Sequence, residues 1–224
     1  MPVMTTHTLT GRSKQTIVDW FNMCREVCSS IMEKRPQMIG TEDNPVQIDE
    51  SYFSGKRKNN TGCLLQGNLP AERDRTISVA NNRNHGNRVS GPWVFGLYQG
   101  NNCRYFWVER RDADTLIPLI EKVVAPGSVI HSDEWGAYNS LNDRGFIHTT
   151  VTHKNNFVDP ATGCHTQGIE RSWLDAKVKI LKRMRHVPRS TFQSHLDYYC
   201  WTRFYRNCND LLAAFMQAIR IVYN

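Results

Sequence analysis

The sequence predicts an α/β protein: one mixed five-stranded sheet flanked by helices, with a helix before it and more helices after it. Three observations carry that prediction. Runs rich in Val, Ile, Tyr, Phe and Trp recur at 46–53, 93–98, 103–109, 129–132 and 146–151, a composition that favours strands. Segments of helical periodicity follow the third, fourth and fifth runs, and the order β-β-β-α-β-α-β-α belongs to a sheet covered by helices. The first run also carries a carboxylate, Asp49, among residues otherwise fit for a core; burying such a group is costly unless it is paired or holds a metal ion.

Residues 13–33 read as an amphipathic helix, because Ile17, Phe21, Cys24, Cys28 and Ile31 recur at helical spacing, Ser13 or Thr16 can cap its start, and Pro36 stops it. It is either the surviving part of a helical DNA-binding head or a helix that packs over the domain. Pro45 marks the entry to the first strand, 46–53. Residues 54–92 read as a long loop rich in Gly and Asn. That loop carries seven basic residues, with Lys56, Arg57 and Lys58 among them, against Glu72 and Asp74, a net of +5; it either touches phosphate or is simply solvated.

The strands at 93–98 and 103–109 are joined by Gln99-Gly100-Asn101-Asn102, a hairpin turn. A helix at 114–124 sets Leu116, Ile117, Ile120 and Val124 on one side and ends at Pro126-Gly127. The strand at 129–132 leads straight into Asp133, a short helix is expected at 137–143, and the fifth strand at 146–151. After a loop at 153–165, a single helix is expected from about 166 to 185, with Ile169, Trp173, Ala176, Ile180 and Met184 as its buried stripe. Pro188 breaks that run, and helices at 191–205 and 211–222 close the chain.

At 224 residues the chain has room for one good-sized domain with an appendage. A hydrophobic content of 40% argues against disorder, and no apolar run reaches the length of a membrane span. The first ten residues lack the basic start and apolar middle of a signal peptide. The seven Cys are scattered without a Cys-x-x-Cys pair, which argues against a structural zinc site and for reduced thiols in a nuclear or cytosolic protein. A formal charge of +7 and a pI of about 9.1 point to a polyanionic partner.

Three acids stand on separate elements: Asp49 in the first strand, Asp133 just past the fourth, and Glu170 near a helix start, 84 and then 37 residues apart. Singly, each has an ordinary reading, as a hydrogen-bonded Asp, an Asp after a strand, or a Glu suited to a helix dipole. Together on this order of elements they form a set of hard oxygen ligands for divalent cations, and metal-assisted phosphodiester chemistry is what such a set serves. A second basic run, Arg171, Lys177, Lys179, Lys182, Arg183, Arg185 and Arg189 against Asp175, nets +6 and reads as DNA contact in preference to a solvated helix face. His153, Asn155, Asn156 and His165 precede Glu170; they either orient a phosphate or a metal-bound water, or serve as structural hydrogen-bonding groups.

The chain resembles DDE transposases of the Merlin superfamily, related to bacterial insertion-sequence transposases. The stretches that carry the resemblance are Ile48-Asp49-Glu50-Ser51-Tyr52-Phe53 with Gly55-Lys56-Arg57-Lys58, Trp93-Val94-Phe95-Gly96, and Pro126-Gly127-Ser128-Val129-Ile130-His131-Ser132-Asp133-Glu134-Trp135 with Ala137-Tyr138. They continue through Phe157-Val158-Asp159-Pro160 into His165-Thr166-Gln167-Gly168-Ile169-Glu170-Arg171-Ser172-Trp173. The resemblance implies a ribonuclease H-like core in which Asp49, Asp133 and Glu170 are both catalytic and metal-binding, with Mg2+ or Mn2+, two ions, as cofactor. It implies double-stranded DNA carrying transposon terminal inverted repeats as partner, a homodimer or higher oligomer on that DNA, no membrane, and work in a nucleus, or in the cytoplasm and nucleoid of a bacterium. The DNA-contacting candidates are Lys56, Arg57, Lys58, Asn156, His165, Arg171, Lys177, Lys182 and Arg183. The expected division is 1–44 as an N-terminal helical segment, 45–188 as the catalytic domain, and 189–224 as C-terminal helices packed on it. Little sequence precedes the core and the loop at 54–92 is long, so a domesticated or truncated DNA-binding derivative, or a nuclease without strand transfer, stands as the alternative to an active transposase.

Overall fold

The computed structural model describes residues 2–35, 37–53, 92–151, 163–182 and 187–224. Two helices come first, α1 (Val3–Thr10) and α2 (Lys14–Lys34). The sheet contains β1 (Val46–Tyr52), β2 (Trp93–Gln99), β3 (Asn102–Val108), β4 (Val129–Ser132) and β5 (Ile147–Thr150), with α3 (Ala113–Val123) between β3 and β4. Three helices follow: α4 (Gln167–Lys177), α5 (Arg189–Phe204) and α6 (Leu211–Tyr223). No helix among the described residues is long and apolar enough to cross a membrane.

The five strands lie in the order β3-β2-β1-β4-β5. β2 runs antiparallel to β1 and β3, while β4 is parallel to both β1 and β5. This is the mixed five-stranded sheet flanked by helices expected from the sequence. Because β1 and β4 are parallel neighbours with Gln47 opposite His131, Asp49 at the middle of β1 and Asp133 just past β4 fall at the same level of the sheet. Successive side chains of a strand point to opposite faces, and β1 uses this fully. Val46 and Ile48 enter the core shared with α3, where Leu116, Ile117 and Ile120 are buried. Gln47, Asp49 and Ser51 turn to the other face, towards α4.

Helices cover both faces. α3 is capped by Asp112, whose carboxylate accepts the Thr115 N–H at 3.1 Å, a contact that removes one of the four orphan N–H groups of the first turn. On the opposite face, α2, α4 and α5 share a core in which Cys28, Phe53, Tyr105, Trp173, Leu196 and Tyr199 are buried.

Several expectations need correction. α1 was not expected, because its eight residues have no apolar stripe and bury nothing. The short helix at 137–143 is two 3₁₀ turns, Gly136–Tyr138 and Asn142–Arg144, the second ended by Gly145 at φ 82°. Of the single helix expected at 166–185, the described part is α4 followed by a wider π turn at Val178–Lys182, while 183–185, with Met184, lie outside the described residues.

Candidate active site

Asp49 belongs to a row of residues that crosses three strands. It faces Gly96 on β2, which in turn faces Tyr105 on β3. The Trp173 indole lies over this row, stacked on the Tyr105 ring with centroids 4.3 Å apart and edge-on to Phe53 at 5.8 Å. Gly96 makes room for it: a Cβ at that position would come within 2.5 Å of two Trp173 ring carbons. The indole Nε1–H then donates to Asp49 Oδ2 at 2.9 Å, while Oδ1 accepts the Glu50 N–H at 2.8 Å. Both carboxylate oxygens are therefore held in place by donors from the protein.

A second tie from β1 fixes the start of α4. The cap residue Thr166 makes no side-chain cap bond. Gln47 supplies it from the neighbouring strand, its Oε1 accepting the Ile169 N–H at 2.9 Å. Gly168 permits this approach, since a Cβ there would meet Gln47 Oε1 at 2.7 Å and the Tyr98 ring at 2.6 Å. Gln47 and Asp49 are two apart on a strand, and Ile169 and Trp173 four apart on a helix, so both spacings keep the partners on one face. Glu170 follows Ile169 directly and is exposed at the site's rim.

Electrostatics tie the acids together. The Asp49 carboxyl is pushed up to about 6, first by burial and then by the charges of Asp133 and Glu170, against the lowering effect of its Trp173 and Glu50 bonds. Glu50 turns to the α3 face, where Tyr138 O–H donates to it and Arg111 lies 3.9 Å away; burial and the charges of Asp49 and Asp133 push it up to about 8. Asp133 is half-buried and its Oδ1 accepts the Trp135 N–H at 3.1 Å. Lys177 stands one turn beyond Trp173, with its ammonium 5.5 Å from the Phe53 ring centroid. Burial lowers its pKa, and the nearby Asp49 charge opposes that effect.

The set is rich in hard oxygen donors, and burial together with neighbouring carboxylates raises the proton affinity of Asp49 and Glu50, the chemistry of a divalent-cation site. Among the described residues, however, no three His, Cys, Asp or Glu side chains are gathered into a group that could hold an ion. The structure brings Asp133 and Glu170 each into electrostatic reach of Asp49 without closing the three into a cage.

The other candidates are placed unevenly. His165 is half-buried beneath α4, with Nδ1 3.2 Å from Gln47 Nε2 and its N–H donating to His131 Nδ1 at 3.4 Å. Arg171 is exposed on α4. Lys56, Arg57, Lys58, Asn156 and Arg183, like the whole loop at 54–91, lie outside the described residues, as does the Lys182 side chain.

Gln47, Gly96 and the polar edge of Trp173 escaped the sequence reading. One signal was available for Gly96, because a lone Gly inside an apolar strand often marks close approach of another group. Trp173 was expected only as part of the buried stripe, and nothing in one sequence pairs it with Asp49.

Comparison with known proteins adds a family. The model of the ISXO2-like transposase domain matches residues 42–206. An uncharacterized transposase-like protein of Haemophilus influenzae is 28% identical over 87 residues, 39% of this chain and 68% of that protein. Among solved structures, the catalytic core domain of BIV integrase has a TM-score of 0.41 at 9% identity, covering 81% of this chain and 99% of that one. The simian T-cell lymphotropic virus intasome gives a TM-score of 0.42 at 14% identity, covering 93% and 71%. Likenesses this loose add nothing to the strand order itself.

Proposed function

We propose that this chain, which belongs to the ISXO2-like transposase domain family, is a DDE-type DNA transposase that cuts transposon ends and joins them to a target. Within the transposases we place it in the Merlin superfamily, on the sequence stretches quoted above. The observation that carries the catalytic reading is Asp49: a strand carboxylate pinned by two donors, its pKa raised first by burial and then by the nearby charges of Asp133 and Glu170. Residues 45–188 form the catalytic unit in this reading, 1–44 an N-terminal helical segment, and 189–224 helices packed on the core. The DNA partner carries terminal inverted repeats, and the acting species is a homodimer or higher oligomer on it.

Asp49, Asp133 and Glu170 would hold Mg2+ or Mn2+, two ions, which when bound activate the attacking oxygen and stabilise the leaving one. Asp49 is the fixed ligand, since Trp173 and the Glu50 N–H set its orientation. Asp133 is half-buried and Glu170 exposed, so these are the two side chains that would move to gather the set. Lys177, beside Asp49, offers a cation to a phosphate entering the site. In the first reaction water attacks phosphorus at the transposon end, the P–O3′ bond breaks, and the proton passes to the leaving 3′-oxygen. In the second, that 3′-hydroxyl attacks a target phosphorus, one phosphodiester replaces another, and no covalent protein–DNA bond forms.

Cleavage of a terminal-repeat duplex by wild type, Asp49→Asn, Asp133→Asn and Glu170→Gln tests this. Each variant keeps the side-chain shape, loses a charge that holds the cation, and is expected to bind DNA without cutting it. Cutting by Glu170→Gln at the wild-type rate would put the third acid elsewhere. Wild type that binds but never cuts its own ends would leave the domesticated DNA-binding reading.

A further inference from the structure

The proposed reaction uses the carboxylates on the α4 face, but it leaves unexplained an aromatic cluster on the other face at the same end of the sheet. Trp135 lies two residues past Asp133 and is 42% exposed. An exposed indole is often a loose side chain. This one is fixed at both ends. Its backbone N–H donates to Asp133 Oδ1 at 3.1 Å, and its ring Nε1–H donates to the Arg111 carbonyl at 3.2 Å. The Arg111 guanidinium sits 3.7 Å from the Trp93 ring centroid and 5.2 Å from that of Trp135. Glu50 Oε2 lies 3.9 Å from Arg111 Nη1. Tyr52 packs against Trp93 at 4.9 Å and completes the wall.

An exposed indole held by two hydrogen bonds beside a guanidinium is a surface for a flat ring next to a phosphate. A base inside a duplex is stacked on both faces and cannot reach it, so the ring must come from an unpaired nucleotide. We propose that Trp135, backed by Arg111, is a stacking site for an unpaired nucleobase at the DNA end beside Asp133. The inference rests on the transposase reading and deepens it: the end held at the carboxylates is frayed, with one base drawn onto Trp135. The Arg111 guanidinium has more N–H donors than Glu50 takes up, and meets the phosphate of that nucleotide.

The test uses binding in chelator, so that no cutting intervenes. Wild type, Trp135→Ala and Trp135→Phe are titrated with a duplex of arbitrary sequence, either blunt or carrying a short unpaired 3′ end labelled with 2-aminopurine. Wild type is expected to prefer the unpaired end by roughly 5- to 150-fold, the range for one base–aromatic stack, and to quench the probe. Trp135→Phe keeps a π face and should keep most of that preference. Trp135→Ala should lose it together with the quenching, while its affinity for the blunt duplex stays at the wild-type value. That last measurement shows that the variant is folded. Equal binding of both duplexes by wild type, or an intact preference in Trp135→Ala, overturns the stacking site and leaves the transposase reading in place. Wild type that binds neither duplex overturns both.

Discussion

Replacing Gly96 by Ala tests the link between packing and the candidate site. The added methyl would lie 2.5 Å from Trp173 Cη2 and Cζ2 and 3.0 Å from a Tyr105 ring carbon, against the 3.5–4.0 Å of an ordinary carbon contact. The indole must therefore retreat by about 1 Å. Tyr105 stacks on one side of it and Phe53 meets it edge-on, so it cannot retreat without disturbing the core. The Nε1–Oδ2 bond to Asp49, 2.9 Å in the wild type, would then stretch beyond bonding range. Overpacking costs about 1–3 kcal/mol and losing a hydrogen bond to a charged group ~1.5–3 kcal/mol. The two overlap, because one movement causes both, so the expected loss is about 2–4 kcal/mol in urea unfolding, a Tm lower by roughly 5–15 °C. Trp173→Phe removes the donor and also the clash. In the double variant the Ala methyl has room, so the two effects should sum to less than their parts by about 1–2 kcal/mol. A Gly96→Ala protein within ~0.5 kcal/mol of wild type, or strict additivity in the cycle, would show that Trp173 does not cover Gly96.

Two further outcomes follow from charge. His195 on α5 is buried, its Nδ1 has no hydrogen-bond partner among the described residues, and burial followed by the Arg25 charge lowers it to about 4. Its folded pKa lies below the 6.5 of an ordinary histidine, so the unfolded chain takes the proton first, and the stability held above pH 6.5 is lost as the pH falls towards 4. Urea unfolding of wild type and His195→Leu should differ in its pH dependence over that window by at most ~3 kcal/mol; a difference that stays constant from pH 7 to pH 4 would refute it. DNA affinity should fall steeply with salt, by about 0.9 in log–log slope for each phosphate neutralised, and Lys177→Gln should lower that slope by about 1; a binding constant that barely moves with salt would count against the basic surface.

Much of the fold can be read from the chain alone because its signals are local. Strand composition, helical period, the hairpin turn and the order of elements are set by neighbours a few residues apart, and they were enough for a mixed five-stranded sheet between helices. Asp49 announced itself in the same way, as a charge inside a buried-strand pattern. Where the local signal is weak, the reading failed: α1 has no apolar stripe, and the end of α4 depends on how the chain widens into a π turn rather than on composition. What the tertiary structure alone decided are the contacts between residues far apart in sequence. That Gln47 caps α4, that the Trp173 indole takes the space over Gly96 and donates to Asp49, and that Trp135 lies beside Arg111 all depend on which strand lies next to which. A side chain's period says which face it occupies, but its partner is chosen only when the sheet order brings two such faces together.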